Sequence, residues 1–283
     1  MYDVAIIGSG LAGISAALTL QLHRKNILWL GHQNLSEKIR KAEKIANYPG
    51  LSMISGSDFC ETLKNQVQQA GLSITQENVT GVYDGGSHWM LATATSVYEA
   101  KSVILTTGVE SAKSVEGEEQ FLGHGVSYCA TCDGFLYKGK TIAVVCTSKD
   151  LEHEVEYLAT IADKIWLIAL YKNPEIKATN VELILDVPQK IDGSKTVEAL
   201  SCKRNHLPCS GIFILKNAIS PAVLVSGLAM DGQHIAVKRD MSTNLRGIYA
   251  AGDVTGRPYQ YAKAAGEGNV AAHSVISYLN HLE

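Results

Sequence analysis

Val4-Ala5-Ile6-Ile7-Gly8-Ser9-Gly10-Leu11-Ala12-Gly13 is the stretch that decides the fold. The four apolar residues suit a short strand buried on both faces, as in a parallel sheet. They run directly into Gly-x-Gly-x-x-Gly. Apolar residues then recur at Leu11, Ile14, Leu18 and Leu22, one face of a helix. Asn26-Ile27-Leu28-Trp29-Leu30 follows as a second strand. The glycines therefore sit between strand and helix inside a βαβ unit of about 30 residues, the context in which they mark a dinucleotide site. Small residues let the backbone approach a pyrophosphate, and the free N–H groups of the helix start bind it. An acid at the end of the second strand usually takes the ribose hydroxyls. Here that strand ends in Leu30-Gly31-His32, and Glu37 lies too far into the loop. The ribose contact has to come from elsewhere or from backbone.

Composition sets the frame around this unit. The chain has 283 residues, 46% hydrophobic and 19% charged, with a net charge of −3. That is ordinary for a globular protein of one large or two medium domains, and it argues against a nucleic-acid binder. No stretch approaches the ~20 apolar residues of a membrane span. The first residues lack the pattern of a signal peptide, so the cytoplasm is the expected compartment. Downstream, Ser36–Lys44 carries Lys38, Arg40, Lys41 and Lys44 against Glu37 and Glu43. It reads either as a solvated loop or as a docking surface for an acidic partner. A helix is predicted over Ser57–Ala70, capped by Ser57 or Asp58. Strands are predicted at 72–74, 79–83, 89–94, 96–99 and 102–107, the last ending at Gly108.

A polar stretch, 109–123, reads as a linker into a second unit. It leads to Cys129-Ala130-Thr131-Cys132. Two thiols at this spacing can close and reopen a disulfide, or form half of a zinc site. The other cysteines, Cys60, Cys146, Cys202 and Cys209, do not repeat the spacing, and the nine histidines show no metal-like pattern. Then Thr141-Ile142-Ala143-Val144-Val145, a turn at 146–149, a helix from Asp150 and a strand over 165–170 repeat the opening topology. This turn, Cys146-Thr147-Ser148-Lys149, has no glycine. Its side chains fill the space phosphates need, and Asp150 competes for the helix start as a cap. The next strand ends in Ala169-Leu170-Tyr171, without an arginine for a 2′-phosphate. Finally 233–237 and 247–253 read as strands. Pro258-Tyr259-Gln260 precedes a helix whose apolar face holds Ala271, Val275, Leu279 and Leu282.

Five motifs in order resemble the low-molecular-weight thioredoxin reductase family of flavoproteins, across nearly the whole chain. They are Gly8–Gly13, Asn47-Tyr48-Pro49-Gly50, Thr106-Thr107-Gly108, Cys129-Ala130-Thr131-Cys132-Asp133-Gly134, and Ala251-Gly252-Asp253 through Ala265-Gly266-Glu267-Gly268. The resemblance implies an α/β fold of two Rossmann-like, three-layer ββα domains of the flavin disulfide reductase type, the second inserted in the first. An FAD domain would comprise 1–111 and 238–283, and a central redox domain 112–237. FAD would be held by Gly8, Gly10, Leu11, Ala12, Gly13, Asn47, Thr107, Gly108, Gly252, Asp253, Gln260, Tyr261 and Ala262. Cys132 would face the flavin, Cys129 would attack the substrate disulfide, and Asp133 would protonate the leaving thiolate. Asp133 reads equally as a helix cap or turn residue. A homodimer is implied as well.

The departure from the family points to the electron donor. Ordinary members bind NADPH through a second glycine motif and a basic cluster, and both are missing here. The pattern resembles the ferredoxin-dependent flavin thioredoxin reductases, in which reduced ferredoxin supplies single electrons and thioredoxin receives the pair. From about −400 mV to −270 mV, two electrons fall by roughly 6 kcal/mol. The alternatives are a dithiol oxidase using oxygen, an NADPH enzyme with a divergent site, and a non-enzymatic FAD redox sensor.

Overall fold

The computed structural model describes residues 1–40, 42–109, 115–118, 120–128, 130–216 and 220–282, with backbone alone for Glu37, Lys38 and Cys132. The chain divides into two compact units, Met1–Val109 with Ser220–Glu283, and Glu110–Ile219.

The first unit opens with β1 (Tyr2–Ile7), α1 (Leu11–Leu22) and β2 (Ile27–Leu30). Helices α2 (Glu37–Arg40) and α3 (Gly56–Gln69) follow, then β3 (Val79–Asp84), β4 (Trp89–Thr93) and β5 (Val97–Leu105). The cap of α3 is Ser55, not Ser57 or Asp58. Its hydroxyl accepts the Asp58 N–H at 3.1 Å and donates to the Asp58 carboxylate at 2.7 Å. The segment predicted as a strand at 72–74 makes only one isolated bridge, Leu30 to Thr75. The two strands predicted at 96–99 and 102–107 are a single one. The N-terminal half of β5 pairs antiparallel with β4, and its C-terminal half runs parallel to β1.

The second unit contains β6 (Val126–Ser127), α4 (Ala130–Asp133), β7 (Thr141–Cys146), α5 (Glu152–Ala159), β8 (Lys164–Ala169) and β9 (Val181–Leu183). It continues with β10 (Pro188–Gly193), β11 (Val197–Cys202), β12 (His206–Pro208) and β13 (Ile212–Leu215). Strands β6, β13, β7, β8 and β9 form a parallel sheet in that order. Side chains of β7 alternate across it. Ile142 and Val144 join Leu158 and Leu167 on the α5 face, while Ala143 and Val145 join Leu200 and Leu207 under the antiparallel sheet β10-β11-β12. A strand buried on both faces has to be apolar at every position, which is why Thr141–Val145 reads as an unbroken run. Sheet, sheet and helix are the three layers of the ββα arrangement.

The chain returns to the first unit with α6 (Pro221–Leu224), β14 (Met230–Asp231), β15 (His234–Ile235), β16 (Ile248–Ala250) and α7 (Tyr261–Asn280). Residues 220–237 therefore lie in the first unit, not in the central domain as expected from the sequence. The fastening is local. Val225 is fully buried and bridges to Val82, and Asn244 ties the segment by accepting from Ala229 N–H and donating to Gly227 C=O. Strand β16 pairs with β5, which completes the parallel set β2-β1-β5-β16.

Helix α1 is buried on two sides, against the sheet and against α7. At the crossing, a β-carbon on Gly268 would stand 2.1 Å from the Ala12 carbonyl oxygen, so only glycine allows this approach. Ala271, Val275 and Leu279 are buried on α7 as the periodicity predicts, whereas Leu282 lies beyond the helix end and is exposed. Among the described residues no helix is long and apolar enough to cross a membrane.

Candidate functional site

Strands β1, β5 and β16 end level with one another, because Ile7 pairs with Leu105 and Leu105 with Ala250. The three glycine-bearing turns expected to hold FAD thus leave one edge of one sheet. Ligands of open α/β sheets bind outside the carboxyl ends of the strands.

The first turn has two kinds of glycine. Gly8 has φ 118°, and a β-carbon on it would lie 2.3 Å from the Thr106 carbonyl oxygen. A β-carbon on Gly13 would meet the Gly8 carbonyl oxygen at 2.2 Å. These two glycines pack the turn against β5. Thr106 locks it by donating from its hydroxyl to the carbonyls of Ile7 (3.0 Å) and Gly8 (3.1 Å), and the Trp29 indole donates to Gly8 C=O at 2.9 Å. Gly10 is different: nothing lies within 4 Å of its β-position. It caps α1, whose first turn, with Leu11, Ala12 and Gly13, carries no acid. The opening leaves the first N–H donors of α1 facing space that a phosphate fits. Ser9 is buried and accepts the His32 N–H at 3.0 Å, so the end of β2 is tied to the turn.

The second turn, Thr107-Gly108, leaves β5 half-buried, with Gly108 at φ 73° and open space at its β-position. The third leaves β16. Gly252 has φ 90°, and a β-carbon on it would press on Ala12 at 2.9 Å. A network missed in the sequence holds this turn. Glu267 accepts from Gly252 N–H and Thr255 hydroxyl, each at 2.9 Å, and pairs with Lys263 at 3.1 Å. Lys263 also donates to the carbonyls of Gly252 and Gly256. Asp253 is half-buried in the short helical turn that follows. Gln260 precedes the first residues of α7, Tyr261 and Ala262, and its side-chain carbonyl accepts from the Asn47 amide at 2.9 Å. Asn47 and Gln260, 213 positions apart, are thereby brought together. The only sequence signal for the Lys263–Glu267 network was Glu267 within its glycine-flanked motif.

In the second unit, Cys129 and the Cys132 side chain lie outside the described residues. Their surroundings are described. Helix α4 spans Ala130–Asp133. Asp133 is half-buried and accepts the Ser127 hydroxyl at 2.6 Å. Glu154, on α5, accepts the backbone N–H of Ala130, and burial raises its carboxyl above the usual range. The sequence reading passed over Ser127 and Glu154, since nothing in their local pattern marks them. In the basic stretch of the first unit, Lys41 and the Lys38 side chain are likewise outside the described residues. The Arg40 guanidinium donates to the Asn34 carbonyl at 3.2 Å.

The turn after β7 occupies the second unit's equivalent of the nucleotide edge. The Thr147 hydroxyl donates to Leu215 C=O at 3.2 Å, and the Cys146 thiol to Ser148 C=O at 3.3 Å. The cap is Ser148 rather than Asp150, accepting the Asp150 N–H at 3.4 Å. Glu152 then reaches across the strand ends. One of its oxygens accepts both the Tyr171 hydroxyl and the Glu175 N–H at 2.9 Å. Lys149 pairs with Glu175 at 2.7 Å. Acids Glu152 and Glu154 sit in the first turn of α5, where a phosphate would need open donors. Cys60, Cys146, Cys202 and Cys209 are buried, and burial pushes the thiols of Cys146 and Cys202 up to about 11 and that of Cys209 to about 12.

Residues 2–147 match the family described as pyridine nucleotide-disulphide oxidoreductase. A thioredoxin reductase of Helicobacter pylori strain J99 is 35% identical, the alignment covering 99% of this chain and all of that protein. One of Listeria monocytogenes is 29% identical over all of this chain and 95% of its own length. A crystal structure of a ferredoxin-flavin thioredoxin reductase from Clostridium acetobutylicum superposes with TM-score 0.93 at 42% identity, covering 99% of this chain and 98% of that one. A thioredoxin reductase from Gloeobacter violaceus superposes with TM-score 0.81 at 27% identity, covering 99% and 94%.

Proposed function

The chain belongs to the thioredoxin reductases of the pyridine nucleotide-disulphide oxidoreductase family, and from that premise we propose that it reduces thioredoxin, or a thioredoxin-like protein, with electrons from reduced ferredoxin rather than NADPH. The family is one of FAD-binding flavoproteins. The open N-terminus of α1 at Gly10 fits the pyrophosphate of that cofactor. The turns at Thr107-Gly108 and Gly252-Asp253, with Asn47, Gln260, Tyr261 and Ala262, would hold the rest. Bound FAD supplies the exchange between single electrons and electron pairs.

The protein's own residues supply the dithiol chemistry. In the reduced protein Cys129, as thiolate, attacks one sulfur of the substrate disulfide. A mixed disulfide forms, and the departing thiolate takes a proton from Asp133. Cys132 then attacks Cys129, which closes the Cys129–Cys132 disulfide and releases the substrate as a dithiol. Two electrons thus pass from the Cys129–Cys132 dithiol to the substrate, and the pair that reopens the disulfide is what bound FAD would supply. Ser127 donates to the Asp133 carboxyl at 2.6 Å, which fixes the proton donor to the chain entering the pair.

The single observation that carries the choice of donor is the filled turn after β7. Glu152 bridges Tyr171 and Glu175 across the space where a pyridine nucleotide diphosphate would lie, and Ser148 takes the donor that an anion would use. The similarity to the Clostridium acetobutylicum protein supports the same choice. An acidic ferredoxin would dock on the Lys38–Lys44 stretch, where the exposed Lys44 and the half-buried Arg40 supply positive charge.

The proposal is tested by coupled turnover under anaerobic conditions. Thioredoxin thiols are expected to accumulate with reduced ferredoxin and not with NADPH or NADH, and a Cys132→Ser variant is expected to trap thioredoxin in a disulfide-linked complex. Rapid consumption of oxygen by added dithiols, with no turnover from ferredoxin, would overturn it in favour of a dithiol oxidase.

A further inference from the structure

Within the second unit a charged cluster is buried beside the chain that leads into the cysteine pair. Glu118 is 3% exposed. It pairs with the Lys216 ammonium, and both side chains are nearly shielded from water. The Tyr128 hydroxyl donates to the same Glu118 oxygen at 2.6 Å, and the other oxygen accepts the Val115 N–H at 3.0 Å. The Lys216 ammonium also stands 4.7 Å from the centre of the Tyr128 ring. Tyr128 follows β6, Lys216 follows β13, and these two strands are paired neighbours.

Burying an ion pair is costly, and well-packed apolar residues in its place often serve stability as well or better. The cluster therefore calls for a role other than stability. Its position supplies one, since Tyr128 is covalently joined to Cys129. On the same lead-in, Ser127 is fixed to Asp133. We propose that Glu118, Lys216 and Tyr128 form a charge-balanced clamp that positions the backbone entering Cys129 and sets how readily that cysteine becomes a thiolate. The proposal rests on the dithiol reading only in taking Cys129 as the attacking thiol.

A balanced pair leaves the thiol under little net field. Removing the lysine charge leaves a buried carboxylate, which disfavours a second negative charge nearby. Removing the glutamate charge leaves a buried ammonium, which favours it. Covalent geometry alone keeps a residue next to Tyr128 within about 15 Å of a charge at the Tyr128 hydroxyl, and at an effective permittivity of about 20 one unpaired charge at that range moves a thiol by close to one pKa unit, roughly tenfold in thiolate fraction. Among the described residues the other charged or titratable groups about α4 are Asp133, Tyr137, Glu154 and His153. They are common to every variant below and cancel in the differences.

The test uses the full-length FAD-loaded protein, reduced with dithiothreitol. The rate of Cys129 alkylation by iodoacetamide is followed against pH by mass spectrometry in wild type, K216M, E118Q and the double variant. At neutral pH the expected rate falls about tenfold in K216M, rises about tenfold in E118Q, and returns close to wild type in the double variant. Single variants that shift the same way, or not at all, overturn the proposal. E118Q keeps the shape of the cluster, so it decides alone if K216M does not accumulate: an unchanged midpoint in it is then sufficient refutation. Alkylation reads the thiol whether or not the protein reduces thioredoxin. Failure of the turnover assay and failure of the clamp are thus separate results.

Discussion

Substituting Gly268 with alanine sets a new methyl group against backbone, and the geometry says how far the helices must part. The added β-carbon would stand 2.1 Å from the Ala12 carbonyl oxygen, where ordinary contact begins at 3.4 Å. Helices α1 and α7 must therefore separate by about 1.3 Å, the difference of those two distances. Neither side of the contact can rotate away, since a β-carbon has no rotamer and the carbonyl is backbone in the first turn of α1. Overpacking of this kind costs about 1–3 kcal/mol, and the rigid partner puts it at the upper end. For a protein of this size, about 3 kcal/mol lowers Tm by about 6–12 °C. Gly10→Ala makes the opposite case. It has nothing within 4 Å and φ −77°, so the apoprotein loses only the difference between glycine and alanine as a cap, about 0.5–1 kcal/mol. Its methyl group instead enters the space assigned to the pyrophosphate. Loss of one or two charge-assisted bonds, about 1.5–3 kcal/mol, weakens FAD roughly 10- to 100-fold. Thermal melts of both apoproteins, with FAD titration by fluorescence, separate the two effects. The reasoning is refuted if Gly10→Ala melts as low as Gly268→Ala, or if it binds FAD as wild type does.

Two further outcomes follow from the second unit. Asp133→Asn should slow thioredoxin reduction about 10²- to 10⁴-fold, the usual share of a proton donor, while leaving donor-driven flavin reduction unchanged. An equal loss in both half-reactions, measured by stopped flow, contradicts the role given to Asp133. Glu154 tests the electrostatics of α4. Burial raises its carboxyl from 4.5 in the folded protein, so its contribution to stability is fully present below the unfolded value and is lost as pH rises through the folded one. Glu154→Gln should therefore gain on wild type between pH 5 and pH 7.5 in urea midpoint, and a gap that stays constant with pH rules this out.

The parts of the fold legible in the sequence were those where local pattern and backbone need coincide. Gly8 is demanded by its left-handed backbone and Gly13 by the Gly8 carbonyl a few residues away, and the run Thr141–Val145 by burial on both faces. The filled nucleotide turn was legible for the same reason: four side chains in place of glycines are a local fact. Harder features depended on partners distant in the chain. Glu118 and Lys216 lie 98 positions apart, and neither carries a pattern that points to the other. The return of the chain at 220 rather than 238 was hidden because Val225 and Asn244 act through the first unit's β3 and its own neighbouring loop. The cap of α3 was missed by two residues, since Ser55, Ser57 and Asp58 are all competent caps and only the reciprocal bond between Ser55 and Asp58 selects one.

The most direct measurement of the central claim is anaerobic titration of the flavin absorbance of the purified protein. Reduced ferredoxin should bleach the flavin completely once two electrons have been delivered to the flavin and two to the disulfide. NADPH in tenfold excess should leave it oxidised over the same interval, because Ser148 caps the turn after β7 and the Glu152 carboxylate lies across the strand ends where its diphosphate would sit. Bleaching by stoichiometric NADPH would contradict the account.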